Sequence, residues 1–148
     1  MILSVTTEIP FFARHELICK GSGTIRLDKR FADALVSLRG EWGKPLDPTS
    51  VCRSPEHNKK VGGAVNSYHL TIHPSRPTNG TMAADINWAN WTKERRLDFA
   101  RFAWQRGWSI GLHEGFIHID RRKDIGMPQI VFLYGVWQGA FGEKEIKA

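Results

Sequence analysis

The chain has 148 residues, a formal net charge of +6, 41% hydrophobic residues and 24% charged residues. These values are typical of a globular domain and exclude an intrinsically disordered chain, so we predict one domain over residues 1–148. The positive charge predicts only weak, general attraction to polyanions, because the basic residues are scattered along the chain, and it predicts no specific nucleic-acid partner.

The cysteines and the N-terminal segment indicate the cellular compartment in which the protein is made. Cys19 and Cys52 are too few for a disulfide framework, so we predict two buried free thiols. The segment that begins at Met1 lacks the charged start and long apolar run of a secretory signal. No stretch approaches the roughly 20 apolar residues of a membrane span. We therefore expect synthesis in a cytoplasm and no membrane span.

The first predicted helix follows residues 1–26, which should be irregular or short extended structure. Asp28 is a suitable N-cap, and the helix should run to about Trp42 and end at Gly43. Its apolar residues recur at helical spacing on one face: Phe31, Leu35, Leu38 and Trp42.

Short elements and a long loop come next. We predict a strand over residues 49–52, one helical turn over residues 55–60 and a loop over residues 67–80. Residues 81–88 then alternate with the period of a strand, which places Asp85 on the face opposite the apolar residues. Those apolar residues are Met82, Ala84, Ile86 and Trp88.

The second half predicts one helix and three strands. The helix covers residues 92–105 and ends before Gly107. Two core strands follow over residues 108–112 and 116–120, and an edge strand over residues 130–134. The helix should bury one side, formed by Leu97, Ala100 and Trp104.

The strand over residues 116–120 separates apolar from polar side chains. Period-two alternation places His118 and Asp120 on one face, away from Ile117 and Ile119. The last six residues, 143–148, are predicted to be a frayed tail.

Histidines and acidic residues thus lie on strand faces or in the adjoining turns. A catalytic zinc site takes three protein ligands and leaves one position for water, and histidine with carboxylate supplies such a set. Buried histidines held by ordinary hydrogen bonds are the alternative. Spacing alone leaves both open.

Six motifs occur in order along residues 16–121, and together they resemble the zinc D-Ala-D-Ala carboxypeptidase family, whose fold is shared with the hedgehog signalling domain. The resemblance implies an α+β fold with a small, mostly antiparallel sheet, helices on one side and a zinc cleft on the other. The motifs are Cys52-Arg53-Ser54-Pro55, His57-Asn58, Val61-Gly62-Gly63-Ala64, Ser67-Tyr68-His69, Ala83-Ala84-Asp85-Ile86 and Phe116-Ile117-His118-Ile119-Asp120.

The resemblance assigns roles residue by residue. It implies that His69, Asp85 and His118 hold Zn²⁺, that Arg53 pairs with a carboxylate of the substrate, and that Ser67 lines the cleft. A surface ion pair for Arg53 and a turn hydrogen bond for Ser67 are the alternative interpretations.

Two acidic residues near His118 are candidates for the general base. Glu114 precedes His118 in a predicted turn, and Asp120 follows it on the same strand face. Either carboxylate can shuttle a proton. We prefer Glu114, because Asp120 has a competing role as the acceptor that orients a histidine ligand. His113 is a candidate contact to the substrate or transition state, with a solvent-facing turn residue as the alternative.

One segment departs from the family pattern. Residues 71–80 separate the first histidine from the aspartate by more than the family usually does, and we expect this insertion to form a lid or rim beside the cleft. His73, inside the insertion, is an alternative metal ligand, but the Ser67-Tyr68-His69 match favours His69.

The function implied by the resemblance is hydrolysis of D-amino-acid-containing peptide bonds in bacterial peptidoglycan. The small size fits a bacteriophage endolysin or virion-borne hydrolase, made in the bacterial host cytoplasm and acting at the cell wall or periplasm. Its partners would be peptidoglycan stem peptides and other virion proteins. A first rival is a non-catalytic virion or wall-binding module that keeps the fold. A second, a metal-dependent nuclease, is disfavoured because no basic stripe alternates with aromatic residues.

Overall fold

The secondary structure consists of short strands and two longer helices. The computed structural model describes residues 1–139 and 141–148. A single 3-10 turn, Arg122–Ile125, lies between β6 and β7 in this part of the chain. The elements in chain order are β1 (Ser4–Val5), α1 (Arg14–Leu17), β2 (Leu27–Asp28), α2 (Lys29–Trp42), β3 (Pro48–Ser50), α3 (Pro55–Lys60), β4 (Ala83–Asn87), α4 (Lys93–Gln105), β5 (Ser109–Leu112), β6 (Phe116–Asp120), β7 (Val131–Leu133) and α5 (Glu143–Lys147).

The main sheet has five strands in the order β3-β4-β6-β5-β7. The first three pairings are antiparallel and the pairing of β5 with β7 is parallel, so the sheet is mixed. The chain reverses direction after β6 and pairs on the far side of β5, where it runs in the direction of β5. The α+β fold with a mostly antiparallel sheet is confirmed, with one parallel edge strand added. A separate two-stranded sheet joins β1 to β2.

α2 begins at its predicted cap, Asp28, and α4 is capped by Thr92, which was predicted as its first residue. The Asp28 carboxylate accepts a hydrogen bond from the Arg30 backbone N–H at 3.0 Å, and the Thr92 hydroxyl accepts one from the Arg95 N–H at 3.1 Å. Each cap satisfies a backbone donor that the first helical turn leaves free. α2 buries its predicted face apart from Trp42, which is partly buried, and α4 turns its predicted side toward the core with the most buried positions shifted to Phe99 and Ala103. The buried residues of α4 are Phe99, Ala100 and Ala103, whereas Leu97 and Trp104 are only partly buried.

The sheet separates an apolar face from a polar one. Helices α2 and α4 cover the apolar face, where the predicted alternating residues of β4 and β6 are buried in the core. Asp85, His118 and Asp120 point the other way, toward the loops that follow α3. Strand alternation therefore decides which side of the sheet carries the polar cluster.

The C-terminal segment differs from the prediction of a frayed tail. It forms α5, which packs on α4 with Ile146 only 1% exposed. Arg101 Nε also donates to the Glu145 carbonyl oxygen at 2.7 Å. One buried isoleucine and this hydrogen bond hold a segment whose charged composition suggests solvent exposure.

Two further predictions concern cysteines and membranes. Cys19 and Cys52 are buried free thiols, as predicted. In the described part of the chain, every helix is too short or too polar to cross a bilayer.

Candidate metal centre

Three residues converge on the polar face of the sheet. Asp85 lies in the middle of β4, directly opposite His118 of β6. His69 comes from the loop after α3, and its carbonyl oxygen accepts hydrogen bonds from Arg53 N at 2.9 Å and Thr81 Oγ1 at 2.8 Å. One ligand atom from each of the three residues lies within 4.8 Å of the others. Their exposed fractions are 0% for His69, 5% for Asp85 and 3% for His118, so the cluster is buried.

The outer hydrogen bonds of both histidines determine which nitrogen faces inward. His69 Nδ1 lies 2.8 Å from the Val51 carbonyl oxygen, which only accepts, so Nδ1 carries a hydrogen and Nε2 faces Asp85 Oδ1 at 3.2 Å. His118 Nε2 lies 2.8 Å from Asp120 Oδ2, and its Nδ1 lies 3.0 Å from the same Asp85 oxygen. Two imidazole nitrogens therefore point at one carboxylate oxygen.

This donor set fits a zinc ion. Two imidazole nitrogens and one carboxylate oxygen leave a fourth position open, as catalytic zinc sites do. Each imidazole is also oriented by a second acceptor, as ligating histidines usually are. His69, Asp85 and His118 would be the residues that hold the metal.

The electrostatics of the cluster favour positive charge at its centre. Burial by itself would raise the pKa of Asp85, but the charges and hydrogen bonds of His69 and His118 hold it well below its usual range. Burial would lower the pKa of His118, yet hydrogen bonds to Asp120 and Asp85 raise it to about 9. A field that stabilises a proton on His118 also stabilises a bound cation.

Asp120 is fully buried and uses both carboxylate oxygens. Oδ2 accepts from His118 Nε2 at 2.8 Å and from Arg122 Nη2 at 2.7 Å, while Oδ1 accepts from Arg122 Nε at 2.9 Å and Arg122 N at 3.0 Å. Burial opposes ionisation, but these donors lower the pKa of Asp120 to about 2. The structure therefore places Asp120 as the residue that orients His118.

Glu114, the other candidate base, lies in the turn between β5 and β6. Its Oε2 accepts from Arg96 Nη1 at 3.2 Å, and its Oε1 accepts from Gln138 N at 3.1 Å. The side chain is 39% exposed, and each oxygen accepts one of these bonds, so lone pairs remain. Neither Glu114 nor Asp120 lines the two chambers described next.

Two chambers adjoin the cluster on different sides. The larger chamber, about 680 Å³, is lined by Asp85, Arg53, Phe116 and Tyr134 among others. The smaller chamber, about 300 Å³, is lined by His118 and Ser67, and Tyr134 borders it too. Asp85 thus borders one chamber and His118 the other.

Arg53 is placed to meet a ligand in the larger chamber. Its Nη1 donates to Asn58 Oδ1 at 3.0 Å, and its buried Nε has no partner in the described part of the chain. The ion pairs formed there do not include Arg53, so the alternative of a surface ion pair is not observed. The arginines that do form them are Arg30, Arg96, Arg106, Arg121 and Arg122.

Ser67 and His113 both have structural contacts. The Ser67 hydroxyl accepts from His69 N at 3.2 Å, so the turn hydrogen bond is present while the side chain also lines the smaller chamber. The His113 ring stacks on Phe116 with centroids 4.2 Å apart, and its Nδ1 accepts from Gly115 N at 2.9 Å. His113 therefore lies next to a wall of the larger chamber.

Sequence reasoning missed Tyr134 and the glycine that makes room for it. The Tyr134 ring stacks on the His118 ring, with centroids 4.5 Å apart and planes 17° from parallel. Gly111 lies opposite His118 in the sheet, and a Cβ there would lie 3.0 Å from Tyr134 Cβ and 2.9 Å from Phe132 Cζ. The sequence signal was present, because Phe132 and Tyr134 alternate at strand spacing.

The insertion over residues 71–80 is irregular, as predicted, and His73 organises it. The His73 ring accepts from the backbone N–H groups of Ser75 at 3.2 Å and Arg76 at 3.0 Å, and its Nε2 lies 3.1 Å from the Asn66 carbonyl oxygen. His73 is thus engaged within the loop, whereas His69 belongs to the cluster.

An α+β fold that gathers two histidines and an aspartate beside open chambers is typical of a hydrolytic metalloenzyme. A family model described as Peptidase M15 matches residues 10–120. The chain therefore belongs to the peptidase M15 family. Family membership and the His-Asp-His cluster together support a zinc peptidase. No curated protein and no solved structure matches the chain significantly.

Proposed function

We propose that the chain is a zinc-dependent peptidase that hydrolyses D-amino-acid-containing peptide bonds of bacterial peptidoglycan, of the D,D-carboxypeptidase or endopeptidase type. The observation that carries the proposal is the buried cluster of His69, Asp85 and His118 within a chain of the peptidase M15 family. The resemblance of its motifs to zinc D-Ala-D-Ala carboxypeptidases supports the choice of substrate.

The residues around the cluster have different proposed roles in hydrolysis. Zinc, when bound, supplies Lewis-acid activation of water and of the peptide carbonyl. Asp120 fixes the orientation of His118 through the 2.8 Å hydrogen bond. Glu114 is the proposed base that moves a proton from the attacking water to the leaving nitrogen, because its carboxylate keeps free lone pairs whereas that of Asp120 is fully engaged. To reach the substrate, Glu114 must leave Arg96 and Gln138, since it lines neither chamber.

Residues in or beside both chambers are proposed to hold the substrate. Arg53 offers donors of its guanidinium to a peptide carboxylate in the larger chamber, and its Nε has no other partner among the described residues. Ser67 borders the smaller chamber beside His118. His113 contacts the substrate from its position next to Phe116.

The biological setting belongs to the same proposal. A bacteriophage endolysin or virion-associated hydrolase, made in the bacterial host cytoplasm as one domain over residues 1–148, would act at the cell wall or periplasm. Peptidoglycan stem peptides would be its substrates, and other virion proteins would be partners of a virion-borne form. The excess of positive charge, +6, supports approach to an anionic wall.

Mass spectrometry of purified peptidoglycan fragments tests the proposal. The zinc-loaded protein should generate new peptide products, whose masses identify the bond, and a chelator should abolish them. Asp85→Asn should abolish cleavage, whereas the control Asp98→Asn, an exposed residue of α4, should not. Zinc-loaded protein that leaves every fragment intact would contradict the proposal and favour a wall-binding module.

A further inference from the structure

Half of the residues that line the smaller chamber lie beyond the family match or in the insertion over residues 71–80. Met127, Phe132 and Tyr134 follow residue 120, where the family match ends. Arg76 comes from the insertion over residues 71–80. The chamber therefore joins family motif residues, Ser67 and His118, to residues that are particular to this chain.

The insertion is tied down at both ends. Arg26 Nη1 donates to the Thr71 carbonyl oxygen, and Asn79 N donates to Asp28 Oδ2 at 2.8 Å. Gly80 adopts a φ of +139°, and a Cβ there would lie 2.7 Å from backbone atoms of residues 26–28. Both ends of the insertion are thus fixed, and Arg76 between them lines the smaller chamber.

Inside the segment, hydrogen bonds also fix the turn that carries Arg76. His73 Nδ1 accepts from Arg76 N at 3.0 Å, and the Ser75 hydroxyl donates to Asn66 Oδ1 at 3.1 Å. Asn66 itself lines the chamber. The backbone of Arg76 is therefore held by His73, while the residue is exposed and lines the chamber.

The charges of the two chambers differ. Glu16, Asp47 and Asp85 line the larger chamber, whereas none of the described residues that line the smaller one is an aspartate or glutamate. The Arg122 guanidinium, which lies between Tyr68 and Phe132, is neutralised by Asp120. Arg76 has no acidic partner among the ion pairs of residues 1–139 and 141–148, so its charge is uncompensated.

We propose that the smaller chamber is a subsite for a carboxylate of the substrate, with Arg76 as its cationic recognition group. This inference rests on the proposed peptidase function. A peptide whose carbonyl lies at the cluster extends toward both chambers, because Asp85 borders one and His118 the other. The free carboxylate is either the C-terminus, as in removal of a terminal residue, or an acidic side chain, as in cleavage within a longer chain.

Matched peptides and variants test the subsite. The probes are the stem peptide L-Ala-D-Glu-L-Lys-D-Ala-D-Ala, the same peptide amidated at the free carboxylate of D-Glu, and the same peptide amidated at its C-terminus. Binding to the metal-free protein is measured by calorimetry, and KM is measured for the zinc-loaded protein. The variants are Arg76→Gln, Arg76→Lys and the control Arg14→Gln, an exposed arginine that lines neither chamber.

Arg76→Gln should weaken binding of the unmodified peptide and raise its KM about five-fold, the size expected for one partly exposed ion pair. Arg76→Lys should restore most of the affinity, and Arg14→Gln should have no effect. The variant should also lose discrimination against one amidated peptide. If Arg76→Gln no longer prefers the unmodified peptide over the D-Glu amide, the carboxylate that Arg76 binds is the acidic side chain. If it no longer prefers the unmodified peptide over the C-terminal amide, that carboxylate is the C-terminus.

Unchanged affinity and unchanged discrimination in Arg76→Gln would overturn the subsite while leaving the peptidase proposal intact. Absence of cleavage by the unaltered zinc-loaded protein would instead contradict the peptidase proposal. The calorimetric arm still reports on the subsite in that case, since it needs neither metal nor turnover.

Discussion

Asp120→Asn separates orientation of a metal ligand from proton transfer. The substitution keeps the shape of the side chain but removes its charge. If the amide oxygen keeps the bonds to His118 Nε2 and Arg122 Nη2, the amide NH₂ faces Arg122 N and Nε, which are both donors. Breaking a buried ion pair in this way costs about 3 kcal/mol.

The expected result has two parts. The melting temperature of the metal-free protein should fall by roughly 6–12 °C, because about 3 kcal/mol shifts a chain of this size by roughly 2–4 °C per kcal/mol. Zinc affinity should fall by about 10- to 100-fold, since His118 loses its charged acceptor. Thermal denaturation and competition with a chelator of known affinity measure the two effects.

The matched control is Asp124→Asn. Asp124 accepts from Arg121 Nε at 2.9 Å and Nη2 at 3.0 Å, but it is 24% exposed, so its loss should cost less than about 1 kcal/mol and leave zinc affinity unchanged. The reasoning is refuted if Asp120→Asn keeps stability and zinc affinity but loses activity by about 100-fold or more. That result would make Asp120 the general base.

Three further predictions concern the same centre. Glu114→Gln should lower kcat by about 10²- to 10⁴-fold at unchanged zinc content, and a normal kcat would remove Glu114 as the base. Gly111→Ala should destabilise the fold by about 1–3 kcal/mol in denaturant titration, because the new Cβ meets Phe132 at 2.9 Å and His118 at 3.0 Å; an unchanged midpoint would show that the rings move freely. The pKa of His118 is raised to about 9 from its ordinary 6.5, so its stabilisation of the metal-free fold is complete below pH 6.5 and is lost as pH rises through 9. Zinc must displace that proton, so the rise in melting temperature on adding zinc should grow between pH 6.5 and 9, and a rise that shrinks would contradict this assignment.

Local patterns in the sequence were enough for the helices and for the faces of the strands. Asp28 and Thr92 cap α2 and α4 because capping depends on a side chain and a backbone group two or three residues apart. Alternation in β4 and β6 separated Asp85 and His118 from the core residues, since side-chain direction along a strand is a local property. The order of the motifs pointed to the same fold.

The tertiary structure decided the features that depend on distant partners. The sequence left Asp120 open as a base, and its four hydrogen bonds appear only once Arg122 and His118 fold around it. The tail was expected to fray, but docking on α4 buries Ile146. Tyr134 reaches His118 because β7 pairs in parallel with β5, a choice that local pattern does not encode.

The physical reason is the range of the interactions. Caps and alternation depend on neighbours a few residues apart, so composition and spacing determine them. The chambers beside the candidate metal site depend on how the insertion carrying Arg76, the 3-10 turn and β7 pack around a cluster assembled from three separate segments. Burial, charge compensation and ring stacking at that centre are properties of the packed chain, and only the tertiary structure determines them.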